Sequence, residues 1–181
     1  LGCIVGNYNT SNADMQFLLR RDFNKFAFYV DNGGGFTSVT SVATASTGVW
    51  QHVAGSWNGS VLSIYVNGVL SNTATLAGAN LRNNTNPIWI GANQIGENFT
   101  GSIDEVRIWN KTLCQPEIQN NMNGEIATIA PNLLANYHFN QGIAASTNTT
   151  ITTLIDASAS ALTGTLTNIA LTGATSNWIA P

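Results

Sequence analysis

The chain has 181 residues, 44% hydrophobic and only 8% charged, well under the ~25% charged share of an average soluble protein, so Asn, Thr, Ser and Gly must supply the polar surface. Six basic residues stand against nine acidic ones, a net charge of −3, and the longest basic run is the pair Arg20-Arg21. Without a basic field, counterion release cannot drive phosphate binding, which argues against nucleic acid as a partner; no stretch approaches the ~18 apolar residues of a membrane span, so direct membrane insertion is not expected either.

The length suits one all-β domain, or one with a piece of another attached. A start at Leu1, with neither initiator Met nor signal peptide, is what a processed chain or a fragment of something longer would show. Short runs rich in Val, Ile, Phe, Tyr, Trp and Thr recur between Gly and Asn punctuation, which predicts an all-β, two-sheet antiparallel sandwich rather than alternating βαβ units. In chain order the candidate strands are 3–6, 15–20, 25–30, 36–42, 50–57, 61–67, 87–91, 101–109, 133–139, 162–167 and 169–172.

Alternation is clearest in Val61-Leu62-Ser63-Ile64-Tyr65-Val66-Asn67, where Leu62, Ile64 and Val66 share one face. Asn67-Gly68 then supplies the positive φ angles of a tight hairpin turn, and Asn58-Gly59 does the same before the strand. One helix, near 115–122, is predicted after Leu113: Pro116 can sit in its first turn without losing a useful donor, and Ile118 and Met122 recur four residues apart. From about residue 141 the composition shifts to Ala, Thr, Ser and Asn, and Ala144 to Thr153 reads as an extended loop. Cys3 and Cys114 permit one disulfide, but their spacing matches no metal motif and spacing alone does not establish a pair.

Three segments together resemble the laminin-G-like family of the concanavalin A-like lectin/glucanase superfamily. They are Trp50-Gln51-His52-Val53-Ala54-Gly55-Ser56-Trp57-Asn58-Gly59 with Leu62 to Gly68 behind it, Pro87-Ile88-Trp89-Ile90-Gly91, and Phe99-Thr100-Gly101-Ser102-Ile103-Asp104-Glu105-Val106-Arg107-Ile108-Trp109-Asn110. The resemblance covers residues 1–125 and implies a jelly-roll sandwich. Leu133 to Asn140, continuing through Asp156 to Leu166, resembles what normally opens such a domain, but here it comes last. The implied organisation is therefore a sandwich over 1–130 lacking its usual first strands, and a domain-opening-like segment over 131–181 that completes the same sandwich or begins the next repeat. Either arrangement leaves edge strands for a neighbouring copy to cover.

Period two over Ile103 to Asn110 places Asp104 with Val106 and Ile108 on the inward face, and Glu105, Arg107 and Trp109 on the other. A buried carboxylate must be neutralised by a cation, by several backbone N–H groups, or by exposure at the strand end. Calcium suits a fold rich in Asp, Asn and carbonyl oxygens. The resemblance points the same way, since relatives often hold calcium, and it suggests Asp156 as the residue that could join Asp104. Glu105 and Arg107 read as a solvated surface pair, and His52 and His138 as structural.

The fold family includes laminarinase-like hydrolases, which need two carboxylates facing one cleft. Their Glu-x-Asp-x-x-Glu strand is absent, the adjacent Asp104 and Glu105 point to opposite faces, and neither a Gly-x-Ser-x-Gly elbow nor a phosphate loop occurs. The chain is therefore read as non-catalytic. Aromatic faces are the candidates for sugar stacking: Trp50, Trp57 and Trp109 are assigned to the core, while Trp89 and Tyr29 are expected to face outward. Asn32, in the loop 31–35, with Asn93 and Asn98 completes the candidate ligand-binding set, and residues 80–86 extend the rim. Six Asn-x-Ser/Thr sequons begin at Asn9, Asn58, Asn83, Asn98, Asn110 and Asn148. The expected role is a recognition or adhesion module of the extracellular space or cell surface that binds a glycan or a protein, with a structural repeat of a large adhesin or filament as the alternative.

Overall fold

The computed structural model describes residues 1–9, 14–126, 130–172 and 178–179. Twelve strands and one helix are found among them: β1 (Gly2–Gly6), β2 (Phe17–Asp22), β3 (Lys25–Asp31), β4 (Phe36–Thr44), β5 (Val53–Trp57), β6 (Val61–Val66), β7 (Val69–Thr75), β8 (Trp89–Ile90), β9 (Val106–Trp109), α1 (Gln115–Asn121), β10 (Leu133–Tyr137), β11 (Thr153–Leu154) and β12 (Gly164–Thr165). The all-β antiparallel class with one short helix is as expected. Two units form, Leu1–Ile103 with Lys111–Gly124, and Asp104–Asn110 with Glu125–Pro181. Among the described residues no helix is long and apolar enough to cross a membrane.

In the first unit, a five-stranded sheet in the order β4-β3-β2-β1-β8 packs against the three-stranded β5-β6-β7. Leu62, Ile64 and Val66 of β6 are buried while Val61, Ser63 and Tyr65 are not, so the alternation written in the sequence is the alternation of burial. Burying a side chain such as Leu62 or Ile64 contributes ~1.5–3 kcal/mol. On the facing strand, Phe26, Phe28 and Val30 point into the same interior. A methyl group on Gly55 of β5 would lie 2.3 Å from Phe28 Cγ, so the absence of a side chain there is what lets the Phe28 ring lie against β5.

Asn67 and Gly68, at φ 51° and 73°, make the tight turn between β6 and β7. Helix α1 docks on that turn, with Gln119 Nε2 donating to the Gly68 carbonyl (3.0 Å) and Ile118 buried beneath it. The helix begins where the Glu117 carboxylate accepts the Cys114 N–H (2.8 Å) and the Lys111 ammonium (2.7 Å). These contacts, Lys111 foremost, hold the Glu117 carboxyl down at about 2.

Several boundaries move. The expected strand 101–109 is cut to β9 because Glu105 takes a left-handed φ of 51°, which breaks the pleat before Val106. The strand expected over 87–91 keeps only Trp89 and Ile90, and that over 162–167 only Gly164 and Thr165, while 169–172 forms none. Strands β7 and β11 were not expected. The largely exposed Val-Leu-Ser-Asn-Thr-Ala-Thr of β7 carries no apolar alternation, because polar contacts hold it: its backbone ladder to β6, the Ser71 hydroxyl accepting the Val42 and Ala43 N–H groups, and the Asn72 amide donating to the Thr40 carbonyl.

In the second unit β9 pairs with β10, Tyr137 opposite Val106, and β11 pairs with β12. The segment Asp104–Asn110, read from sequence as part of the 1–130 sandwich, thus takes its ladder partner from the 131–181 segment.

Candidate functional site

The side of the five-stranded sheet turned away from β5-β6-β7 carries the most developed polar chemistry of the first unit. Since Phe28 faces inward, period two sends Lys25, Ala27, Tyr29 and Asp31 outward. The registers Leu18↔Tyr29, Arg20↔Ala27 and Asp22↔Lys25 put Leu18, Arg20 and Asp22 on that side, and Asp31↔Phe36, Tyr29↔Ser38 and Ala27↔Thr40 add Phe36, Ser38 and Thr40. Part of this face is covered: Cys3, Met15 and Leu18 make a small buried cluster with Tyr8 and Tyr29 packed on it. The rest is open along β4, where Phe36, Ser38 and Thr40 are exposed.

A strip runs across the open part. The Phe36 and Tyr29 rings lie 6.0 Å apart, tilted by 54°. The Arg20 guanidinium sits 4.7 Å from the Tyr29 ring centroid, a cation–π distance. Arg20 Nη2 donates to the Tyr29 hydroxyl (2.9 Å) and to Asp22 Oδ2 (3.3 Å), and the hydroxyl in turn donates to Asp22 (3.3 Å). Arg20 Nη1 reaches Glu97 Oε1 (3.2 Å), and Asn93 Nδ2 donates to the other Glu97 oxygen (2.8 Å). Burial works against the Arg20 charge, but Tyr29, Glu97 and Asp22 outweigh it and raise the guanidinium further. Burial also raises the Tyr29 phenol, with Arg20 opposing, so the hydroxyl stays a neutral donor.

Loops frame the strip. Arg82 Nε pairs with the fully buried Asp31 (2.9 Å), while Asn84 accepts from Asn7 (2.9 Å) and Asn86 donates to the Asp14 carbonyl (2.7 Å). The 93–98 loop is tied down through Arg20–Glu97 and by the Cys3 N–H on the Glu97 carbonyl (3.0 Å).

Of the five residues expected to bind ligand, Tyr29 and Asn93 come together in this network through Arg20 and Glu97, and Asn98 lies exposed beside it. The Asn93 amide is buried and spent on Glu97 and on the N–H groups of Ile95 and Glu97. Asn32 ties its loop to the segment after β7, donating to the Ala77 carbonyl and accepting from the Gly34 N–H. Trp89, expected to face outward, is half-buried, and the outward tryptophan is Trp50 at 62% exposure, because β5 begins only at Val53 and leaves Trp50 outside the sheet. Arg20, Asp22, Phe36 and Glu97 were missed. The first two stand two apart in one strand, and Phe36 alternates with Ser38 and Thr40, so a period-two signal for one face was present; Glu97, 77 residues from Arg20, gave none.

The carboxylates proposed for calcium are placed otherwise. Asp104 is exposed at the strand end and accepts the Glu105 N–H (2.9 Å). Asp156 is buried at 6% exposure, and its oxygens accept the N–H groups of Asn136, Ser158 and Leu162 at 2.8 Å each and the Ser158 hydroxyl at 2.9 Å. Burial alone would raise its pKa, but the four donors lower it. Backbone N–H groups therefore neutralise Asp156 and exposure relieves Asp104, two of the three routes open to a carboxylate, so the pair does not fit a calcium ion's demand for free oxygens. Among the described residues the ligating atoms that gather within 4.8 Å of one another belong to Glu105, Glu125 and His138. Glu105 and Arg107 are also not the solvated pair expected, since the Arg107 side chain is 9% exposed and Glu105 is shared with His138.

Cys3 and Cys114 are both free, the first buried and the second exposed. Burial, with Glu97 adding and Arg20 opposing, pushes the Cys3 thiol up to about 12, so it stays protonated. Asn148 is buried with its amide on the Ile143 and Ser146 carbonyls, which removes that sequon as an acceptor in the folded chain.

A five-stranded sheet backed by a three-stranded one, with an aromatic and ionic strip on its outward side, defines a lectin-like sandwich. Residues 2–119 match the Laminin_G_3 model of the Concanavalin A-like lectin/glucanases superfamily, and the chain belongs to that family. It is 27% identical over 133 residues to the Sushi, von Willebrand factor type A, EGF and pentraxin domain-containing protein 1 of Rattus norvegicus, a match that takes in 64% of this chain and 4% of that protein's length. In fold it is similar to a protein of Bacteroides ovatus named "putative carbohydrate binding protein", with a TM-score of 0.64 at 19% identity, over 91% of this chain and 50% of that one.

Proposed function

We propose that the chain is a non-catalytic recognition module of the extracellular space or cell surface that binds a glycan on the outward side of its five-stranded sheet. The observation that carries this is the strip Phe36–Tyr29–Arg20–Asp22: an exposed aromatic face followed by a guanidinium and a carboxylate, with the Ser38 and Thr40 hydroxyls alongside. A sugar ring offers a flat C–H face to stack on an aromatic and a rim of hydroxyls for charged hydrogen-bonding groups. Arg20 and Asp22 are held by each other and by Tyr29, so little side-chain freedom remains to be lost on binding.

Supporting the reading are the family membership, the name of the Bacteroides ovatus protein of like fold, and a surface built on Asn, Thr, Ser and Gly rather than on charge. A glycan array probed with the wild type and with Phe36→Ala tests it. Binding by the wild type that the variant loses supports the strip, whereas binding to no glycan overturns the reading in favour of a structural repeat of a surface adhesin.

A further inference from the structure

We infer that Glu105, Glu125 and His138 of the second unit form a site for a divalent transition-metal cation, zinc being the probe of choice. All three reach it by different routes. Glu105 turns in through its left-handed backbone just ahead of β9, and His138 follows β10 at the position opposite Glu105, given the register Tyr137↔Val106. Glu125 is exposed and is steadied by the Asn140 amide.

His138 Nδ1 lies 2.9 and 3.1 Å from the two Glu105 oxygens, and the ligating atoms of all three residues lie within 4.8 Å of one another. Arg107 pairs with Glu105. Two carboxylates against one guanidinium leave those three side chains with a net −1, a field that favours a dication.

A second observation lies behind the imidazole. Asn136 is fully buried, its Nδ2 is 3.3 Å from His138 Nε2 and 3.4 Å from the Ile126 carbonyl, and its Oδ1 has no hydrogen-bond partner among the described residues. With Asn136 donating to Nε2, the ring proton sits on Nδ1 and is given to Glu105. A cation between the three ligands would take the Nδ1 lone pair, with the ring N–H then on Nε2. The fully buried Asn136 carboxamide beside Nε2 occupies the outer-shell position that metal-bound histidines ordinarily have filled.

The donor set selects the metal. One imidazole nitrogen and two carboxylates suit zinc, with its fourth position open, whereas calcium takes 6–8 oxygen ligands. Such an ion would tie the β9–β10 pair to the chain at Glu125.

The test is thermal unfolding and Co2+ titration, followed by visible d–d absorption, of the wild type, Glu125→Gln and His138→Gln. ZnCl2 should raise the wild-type midpoint while CaCl2 does not. Either substitution should weaken Co2+ binding by ~10-fold or more. Because Glu125 is exposed, Glu125→Gln keeps the test valid even if His138→Gln perturbs folding. Equal metal binding by wild type and Glu125→Gln, no response to zinc, or an equal response to calcium overturns the site.

Discussion

The Asp156 carboxylate accepts the backbone N–H of Asn136, twenty residues earlier in the chain, at 2.8 Å. With Ser158 and Leu162 donating to the same carboxylate, this one side chain fastens the 156–162 turn to β10.

Asp156→Asn keeps the shape but turns an amide N–H toward groups that are themselves donors. Hydrogen bonds to charged groups contribute ~1.5–3 kcal/mol each; the amide oxygen keeps one pair of donors while the amide N–H opposes the other, so the second unit should lose at least ~2–3 kcal/mol in urea denaturation. The acid response has a defined sign. Because the folded pKa lies below the unfolded value of 3.8, the stabilisation is complete above that value and is lost as pH falls through the lower folded one. The difference between wild type and Asp156→Asn should therefore shrink only below pH 3.8, and a constant difference down to the most acid pH would contradict it.

Glu117 titrates at about 2. Its contribution to the start of α1 is present above the ordinary 4.5 and disappears as pH falls toward that lower value. An NMR titration of the Glu117 carboxyl carbon should show a midpoint near 2, and a midpoint near 4.5 would mean that the Lys111 and Cys114 contacts do not hold in solution.

Gly55→Ala places a methyl group 2.3 Å from Phe28 Cγ. Overpacking of this kind costs ~1–3 kcal/mol, and Phe28→Leu in the same chain should recover part of it. Additive losses in the double variant, measured by denaturant midpoint, would show that the two positions do not meet.

Cys3 and Cys114 should differ sharply toward thiol reagents. With the Cys3 thiol pushed to about 12 and buried, the native protein at neutral pH should release one equivalent of chromophore from a disulfide reagent, through Cys114, and two once unfolded. Two fast equivalents from the native state would contradict the burial of Cys3.

How far the sequence carried depends on whether the information was local. The β5–turn–β6–turn unit was legible because Leu62, Ile64 and Val66 alternate cleanly and Asn67-Gly68 is a turn dipeptide. Strand β7 was not, since an exposed edge strand needs no apolar period. The strip was half legible: Tyr29 could be read as outward from its alternation with Phe28 and Val30, but its partner Arg20 and that residue's partner Glu97 meet only through the β1–β2–β3 registers and the 91–99 loop. Asp104 misled because period two was extended through Glu105, where a left-handed backbone breaks it. The neighbouring triad of Glu105, Glu125 and His138 was invisible for the same reason, with two of its members 33 positions apart in the chain.

The central claim is that glycan binds at the strip, and the direct measurement is calorimetric titration of a glycan identified by array into wild type, Phe36→Ala and Trp50→Ala. Both aromatics are exposed, at 50% and 62%, but only Phe36 belongs to the strip. Loss of a stacking face worth ~1.4 kcal/mol weakens binding about tenfold, so Phe36→Ala should raise Kd by that factor while Trp50→Ala leaves it unchanged. A Kd untouched by Phe36→Ala, or raised by Trp50→Ala instead, would contradict the account.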